Sequence, residues 1–84
     1  MGFVNLSMEK FEDYIEINPK KMLGKPVIKG TRITVELILE KLAAGETMEQ
    51  LLNSHPTLYK DGIYAALQYA AHSMRNDYVF PIAS

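Results

Sequence analysis

The stretch TVELILEKLAAGETMEQLLNSHP, residues 34–56, contains two helix patterns joined by a short connection. In the first pattern, apolar residues recur at helical spacing: Val35, Ile38 and Leu42. Thr34 stands where an N-cap hydroxyl is needed, and Gly45 stands where a helix often ends in the left-handed conformation. This half of the stretch predicts a helix over about residues 34–44.

The second pattern begins with a capping box. Thr47 is followed three residues later by Gln50, so each side chain can accept a backbone N–H of the other residue. The helix must end before Pro56, since proline disfavours helical backbone in the residue that precedes it. We therefore predict a second helix over about residues 47–54, which turns sharply away from the first.

A third helix is predicted toward the C-terminus, over about residues 59–75. One face is expected to be apolar and to pack on the core: Ile63, Ala66, Leu67, Ala70 and Met74. The opposite face is expected to point outward: Asp61, Ala65, Gln68, His72 and Arg75. The many alanines permit close approach of a neighbouring helix or of a second copy of the chain, and a homodimer is the expected state.

Toward the N-terminus, residues 14–33 predict a small β-element with tight turns. Residues 14–17 alternate apolar and polar side chains, as a short strand does, and Asn18-Pro19 closes the strand with turn chemistry. Val27-Ile28 is a second short strand, and Gly30 indicates a turn that disfavours other residues. The chain is thus predicted to be one α+β domain, residues 1–84, mainly helical and helix-turn-helix-like, with or without a wing.

The net charge of −1 conceals a basic block in residues 20–32. The block contains no acid and five cations: Lys20, Lys21, Lys25, Lys29 and Arg32. Such lysines either contact a DNA backbone or only keep an exposed strand edge from aggregating, and the sequence favours neither. For Arg32 we expect a structural role, pairing with a carboxylate such as Glu36 one turn on.

If the helices form a helix-turn-helix, the start of the third helix is the part that approaches DNA. Its exposed side chains are predicted to be Tyr59, Lys60, Tyr64 and Gln68. Together with Lys25, Lys29 and Arg32 they form the candidate DNA-binding set. The alternative is an ordinary exposed helix surface, or one that a protein partner covers.

Several functions are not expected. The chain has no cysteine, and His55 and His72 are too far apart in sequence to suggest a metal site. The glycines of residues 24–31 do not have P-loop spacing. We expect no catalytic residue, no metal and no cofactor. No apolar run is long enough to span a membrane and no signal peptide is evident, so a cytoplasmic location is expected.

Residues 17–72 closely resemble the bacterial domain-of-unknown-function family 433. The matching motifs are G-K-P-V-I-x-G-T-R-I-x-V, an apolar helix ending A-x-G, L-L-x-x-x-P-x-L, and an Ile before an alanine-rich helix. The resemblance implies a helix-turn-helix-like fold. Members of the family are described as antitoxins, and their genes often lie beside genes for small nucleases with a PIN-like fold.

The chain departs from the family where the third helix begins. Related chains usually carry L-[TS]-x-E-[DE]-[IV], whereas residues 58–63 here read LYKDGI. Tyr59 therefore replaces the capping residue, and Gly62 is expected to weaken the first turn by about 0.5–1 kcal/mol relative to alanine. This departure counts against base reading by the helix.

The apolar tail, residues 77–84, is the last candidate binding segment. Its candidate partner-binding residues are Tyr78, Val79, Phe80 and Ile82. The tail is expected either to cover the domain's own core, to exchange with a second copy, or to add as a strand to a nuclease partner.

The resemblance and the residues together favour a non-catalytic, antitoxin-like protein that masks a PIN-like nuclease toxin and binds its own operator DNA. One alternative is a protein-interaction or dimerisation module without DNA affinity, and another is a stand-alone transcriptional regulator. Salt-dependent binding to promoter DNA separates the first reading from the second.

Overall fold

The computed structural model describes residues 11–77, and the α+β architecture predicted from the sequence is confirmed within them. Two short strands precede three helices: β1 (Ile15–Glu16), β2 (Val27–Ile28), α1 (Val35–Ala43), α2 (Met48–Ser54) and α3 (Lys60–Asp77). Short 3-10 turns, Phe11–Tyr14 and Met22–Gly24, lie before the strands. Among these residues no helix has the length and apolar character that crossing a bilayer requires.

The two strands form an antiparallel pair in which Ile15 lies opposite Ile28 and Glu16 opposite Val27. The turn after β1 has the predicted asparagine chemistry, since the Asn18 side-chain oxygen accepts the N–H of Lys20 at 2.9 Å. The sheet is small, and it positions the turn that leads into α1.

That turn, residues 28–33, is held by a buried threonine whose role the sequence analysis did not identify. The Thr31 hydroxyl donates to the carbonyl of Ile28 at 2.8 Å and accepts the N–H of Ile33 at 2.9 Å. The N–H of Ile28 donates to the carbonyl of Ile33 at 2.9 Å, which closes the turn. Gly30 has a φ of +85°, so the predicted need for glycine at this position is confirmed.

The ends of α1 follow the sequence signals. The Thr34 hydroxyl accepts the N–H of Leu37 at 3.0 Å, as an N-cap does. At the other end, the N–H groups of Gly45 and Glu46 donate to the carbonyls of Leu42 and Lys41, each at 3.0 Å. This pair of bonds is the Schellman motif, which ends the helix at the predicted glycine.

The capping box of α2 is also present. The Thr47 hydroxyl accepts the N–H of Gln50 at 3.1 Å, and the Gln50 side chain accepts the N–H of Thr47 at 2.8 Å. With these caps satisfied, α1 and α2 are joined by only four residues, 44–47. The connection is therefore determined locally, before any packing is considered.

The core lies where α3 crosses β2, α1 and α2. Its buried residues are Ile28, Val35, Ile38, Leu51, Leu58, Ile63 and Ala66. At the start of α3 the approach is so close that a Cβ on Gly62 would lie 2.7 Å from Cγ2 of Ile28. The glycine that the sequence marks as a weak point of the helix is thus required for packing.

Replacing Gly62 by alanine tests this packing requirement. Helix propensity alone would raise the free energy of unfolding by about 0.5–1 kcal/mol. We expect instead that the free energy of unfolding falls by about 1–3 kcal/mol, because the β-branched Ile28 side chain cannot rotate away freely from the added Cβ. Urea unfolding measures the difference. In an Ile28→Leu background, which removes Cγ2, the penalty of Gly62→Ala should shrink; a stabilised Gly62→Ala variant would contradict the proposed contact.

Thr31 provides a second test of stability. Thr31→Val keeps the shape but removes both hydrogen bonds, and it should lower the free energy of unfolding by about 1–3 kcal/mol because buried polar groups lose their partner. Thr31→Ser, which keeps the hydroxyl, is the matched control and should lose less. A larger loss for Thr31→Ser than for Thr31→Val in chemical denaturation would contradict this, because it would make the methyl group, and not the hydroxyl, the stabilising element.

Candidate binding surfaces around the third helix

The start of α3 is anchored to the turn that follows β2. The Tyr59 hydroxyl donates to the carbonyl of Lys29 at 3.0 Å, and the Tyr59 ring packs against Tyr14 with ring centroids 6.1 Å apart. Burial of the phenol, and then the nearby Tyr14 and Asp61, raises the pKa of Tyr59 above its ordinary value. The phenol therefore stays protonated and donates within the molecule. Tyr59 is half-buried, so the expected exposure of its side chain is wrong, while its part in DNA binding stays a prediction.

Three cations lie on the two segments that this anchor joins. Lys29 and Arg32 are exposed on the turn after β2, and Lys60 is exposed as the first residue of α3. None of the three forms an ion pair with the side chains of residues 11–75. The N-terminal end of the helix adds partial positive charge to them. We call these three residues the basic tip.

Two lysines of the basic block are paired with acids, while Lys20 is exposed on the turn after β1. Lys25 Nζ lies 3.0 Å from Glu36 Oε1, and Lys21 Nζ lies 3.1 Å from Glu16 Oε1. The expected pairing of Arg32 with Glu36 is therefore wrong, because Lys25 occupies that carboxylate. Lys25 therefore differs from Lys29 and Arg32, the other basic-block members of the candidate DNA-binding set, in having an acidic partner.

The face of α3 that was expected to point outward is partly covered. Residues of the N-terminal 3-10 turn pack on it: the Phe11 ring lies 5.7 Å from the His72 ring, and Ala65 is buried. Gln68 is half-buried beside Phe11. The structure therefore brings Gln68 to the covered side of the helix, while Lys60 and Tyr64 remain exposed.

Conversely, part of the expected core face is exposed. Leu67 is 39% exposed and Met74 is 61% exposed, although both were predicted to pack inside. Tyr64, on the same side, is 48% exposed. The outer side of α3 is consequently apolar over most of its length.

A second exposed apolar feature lies on the loop between the strands, and the sequence analysis did not single it out. Leu23 is 92% exposed, and both Met22 and Leu23 have left-handed backbone, with φ of 51° and 60°. Left-handed backbone is strained for these residues, and strain of this kind is often found at functional sites. A groove of about 540 Å³ lies beside the loop and is lined in part by Leu23, Lys25 and Leu37. In the sequence, the only sign of this exposed loop is a Met-Leu pair directly before a turn glycine.

The other candidate residues remain as predictions. Tyr78, Val79, Phe80 and Ile82 lie outside the described residues. Within residues 11–77 no group of three His, Asp or Glu side chains comes together as a metal site would require. His55 accepts or donates through Nδ1 to the carbonyl of Leu51 at 3.1 Å, at the end of α2.

The fold and these surfaces define a small α+β domain with a basic tip and exposed apolar sides. A profile of the family described as "Protein of unknown function (DUF433)" matches residues 15–70. The chain therefore belongs to the DUF433 family, as the resemblance of its motifs implied.

The chain is also similar to two known proteins. The chain is 30% identical, over 76 residues, to uncharacterized protein y4eO of Sinorhizobium fredii (strain NBRC 101917 / NGR234), covering 83% of this chain and 34% of the relative. It thus spans about a third of that relative's length. The crystal structure of a DUF433 member protein from Anabaena variabilis ATCC 29413 matches with a TM-score of 0.71 and 23% identity, covering 87% of this chain and 72% of that one. The likeness to that structure shows the fold.

Tyr59→Phe tests the anchor of the helix start. The variant should lose about 0.5–1.5 kcal/mol of unfolding free energy at neutral pH, because one hydrogen bond is removed. Since the folded pKa lies above the unfolded value of about 10, the contribution is complete below that pH and is lost as pH rises through the folded pKa. Urea unfolding at neutral and alkaline pH should therefore show a difference from wild type that shrinks in alkali. Tyr64→Phe, at an exposed tyrosine, is the control and should change little at either pH.

Proposed function

We propose that this chain is a non-catalytic, antitoxin-like protein that masks a PIN-like nuclease and contacts the backbone of its own operator DNA through the basic tip. The observation that carries the DNA part is the placement of Lys29, Arg32 and Lys60, exposed and without ion pairs, at the start of α3. The hydrogen bond from Tyr59 to the carbonyl of Lys29 holds the turn and the helix together. The cytoplasm is the expected location for such a protein.

The charges predict a weak, backbone-directed interaction. Three cations on a chain with a net charge of −1 release few counterions, so the affinity should be modest and should fall as salt rises. Gln68 is half-buried beside Phe11 and Tyr59 donates internally, so two of the candidate base readers have little access to a groove. The proposal is therefore phosphate contact, with little reading of bases.

The nuclease part rests on the family resemblance together with the exposed loop. Leu23 is almost fully exposed on strained backbone next to an open groove, which is an arrangement suited to insertion into a partner's surface. A toxin with a PIN-like fold is the partner that the resemblance implies.

The DNA part is tested by fluorescence anisotropy with a labelled fragment of the gene's own promoter over a range of salt concentrations. Lys29→Ala and Lys60→Ala should each weaken binding and reduce the slope of log K against log salt by about 0.9 per lost phosphate contact. Lys25→Ala is the matched control, because it removes the same charge from a lysine that is paired with Glu36. Absence of binding at low salt, or an equal effect of all three variants, would contradict a role for the basic tip.

The nuclease part is tested by co-purification with the product of the neighbouring gene, if that gene encodes a small nuclease with clustered aspartates. Leu23→Asp should reduce capture of the nuclease and its inhibition at least about tenfold, because a charge would enter an apolar contact. Asn53→Asp adds the same charge at an exposed site of α2 and should leave both unchanged. Unaltered capture by Leu23→Asp would exclude the loop as the docking element.

A second candidate function is an interaction module without DNA affinity. The observation that favours it is the exposed apolar side of α3, with Tyr64, Leu67 and Met74 all more than a third exposed. The same promoter titration decides between the two, since this module would not bind DNA at any salt concentration.

A further inference from the structure

The outer side of α3 has a regular pattern as well as an apolar character. Four residues follow one another at intervals of three, four and three: Tyr64, Leu67, Ala71 and Met74. We call them the outer stripe. All four are exposed, and they lie on the side of the helix away from the buried Gly62, Ala65 and Ala66. Lys60, four residues before Tyr64, ends the apolar run.

Alternating steps of three and four residues are the spacing of a seam between two helices. A helix that packs on its own core needs only one apolar side, and α3 already packs on Ile28, Ile38 and Leu51 through its inner side. The outer stripe is a second seam, for which the part of the chain that the structure describes provides no partner.

We propose that the outer stripe pairs with the outer stripe of a second copy of this chain, in an antiparallel helix pair. In that arrangement a two-fold axis passes between Leu67 and Ala71. Leu67 of one copy then faces Ala71 of the other, where the small side chain leaves room for it. Tyr64 faces Met74 of the second copy, a favourable contact between an aromatic ring and a thioether sulfur.

The charges beside the stripe complement one another in the same arrangement. Asp61 and Arg75 are both exposed, and neither forms an ion pair with the side chains of residues 11–75. They lie 14 residues apart on one helix, about 21 Å along its axis, so they cannot pair within one copy. When two copies run antiparallel, Asp61 of each lies next to Arg75 of the other.

The apolar residues and the charges together favour a second copy of the chain as the partner of the outer stripe, with its α3 running antiparallel. A parallel pair would place equal residues at the same level, so that Asp61 meets Asp61 and Arg75 meets Arg75, and both contacts are repulsive. DNA along the same stripe would meet Asp61 and an apolar surface. A second copy in the antiparallel direction is the partner that satisfies both the apolar residues and the charges.

Sedimentation equilibrium of the full chain, without DNA or nuclease, is the first test. Wild type should be a dimer at micromolar concentration. Leu67→Glu should raise the dimer dissociation constant at least about a hundredfold, because a carboxylate would be buried without a partner. Ile17→Glu introduces the same charge at an exposed apolar residue after β1 and should leave the dimer intact. Thermal unfolding followed by circular dichroism confirms that each variant is folded.

Charge reversal is the second test, and it reports the direction of the pair. Asp61→Arg and Arg75→Asp should each weaken the dimer about tenfold, since each creates two like-charge contacts. The double variant should regain wild-type dissociation, because both pairs re-form with the charges exchanged. A monomeric wild type at high micromolar concentration, a dimer that tolerates Leu67→Glu, or a double variant weaker than either single one would overturn the proposal.

These outcomes are independent of the proposed function. The mass of the free protein does not depend on whether the basic tip contacts DNA or whether the loop binds a nuclease. A dimer that does not bind the promoter would support this inference and contradict the DNA part of the proposed function. A monomer that binds the promoter would support the DNA part and contradict this inference.

Discussion

The contact between β2 and the first turn of α3 is the constraint on which the rest of the structure depends. At Gly62 the helix comes so close to Ile28 that a single added carbon would lie 2.7 Å from its Cγ2 atom. Beside it, the Tyr59 hydroxyl holds the carbonyl of Lys29. These contacts join segments about thirty residues apart in sequence, and they determine both where the basic turn lies and how α3 is rotated. A different rotation would expose a different side of the helix.

Local features were predictable from the sequence, since they depend on residues only a few positions apart. The caps at Thr34 and Thr47 and the Schellman end at Gly45 each require a side chain or backbone group within five residues. The pairing of Arg32 with Glu36 failed for a related reason. Spacing by four residues brings side chains together only inside a helix, and the backbone of Thr34 between them is extended, with φ of −80° and ψ of 154°. Lys25 reaches Glu36 instead, because the Val35 N–H donates to the carbonyl of Pro26 and brings that segment alongside.

The spacing of apolar residues could not predict which side of α3 faces outward. An alanine-rich helix shows weak contrast between its sides, and alanines alone do not tell which side is buried. Ala65 was assigned to the polar side and is buried, because Phe11 and its turn pack there from a segment that lies before the predicted β-element. With the Ala65 side of the helix buried, Leu67 and Met74 lie outside the core and form part of the outer stripe. Only tertiary packing could distinguish the two sides.

The two proposed uses of α3 constrain each other through distance. Lys60 lies nine residues from the proposed two-fold axis, so an antiparallel pair places the two basic tips about 27 Å apart along the helices. Successive turns of a DNA groove are about 34 Å apart, about 7 Å more than the separation of the two tips along the helices. The tips stay at the outer ends of the pair, where Lys29, Arg32 and Lys60 keep access to phosphates. Tyr64, however, belongs to the outer stripe and is covered by the second copy. If the dimer forms, α3 can contact DNA only through the charge at its N-terminal end. Its outer side is then covered and cannot read bases in a groove.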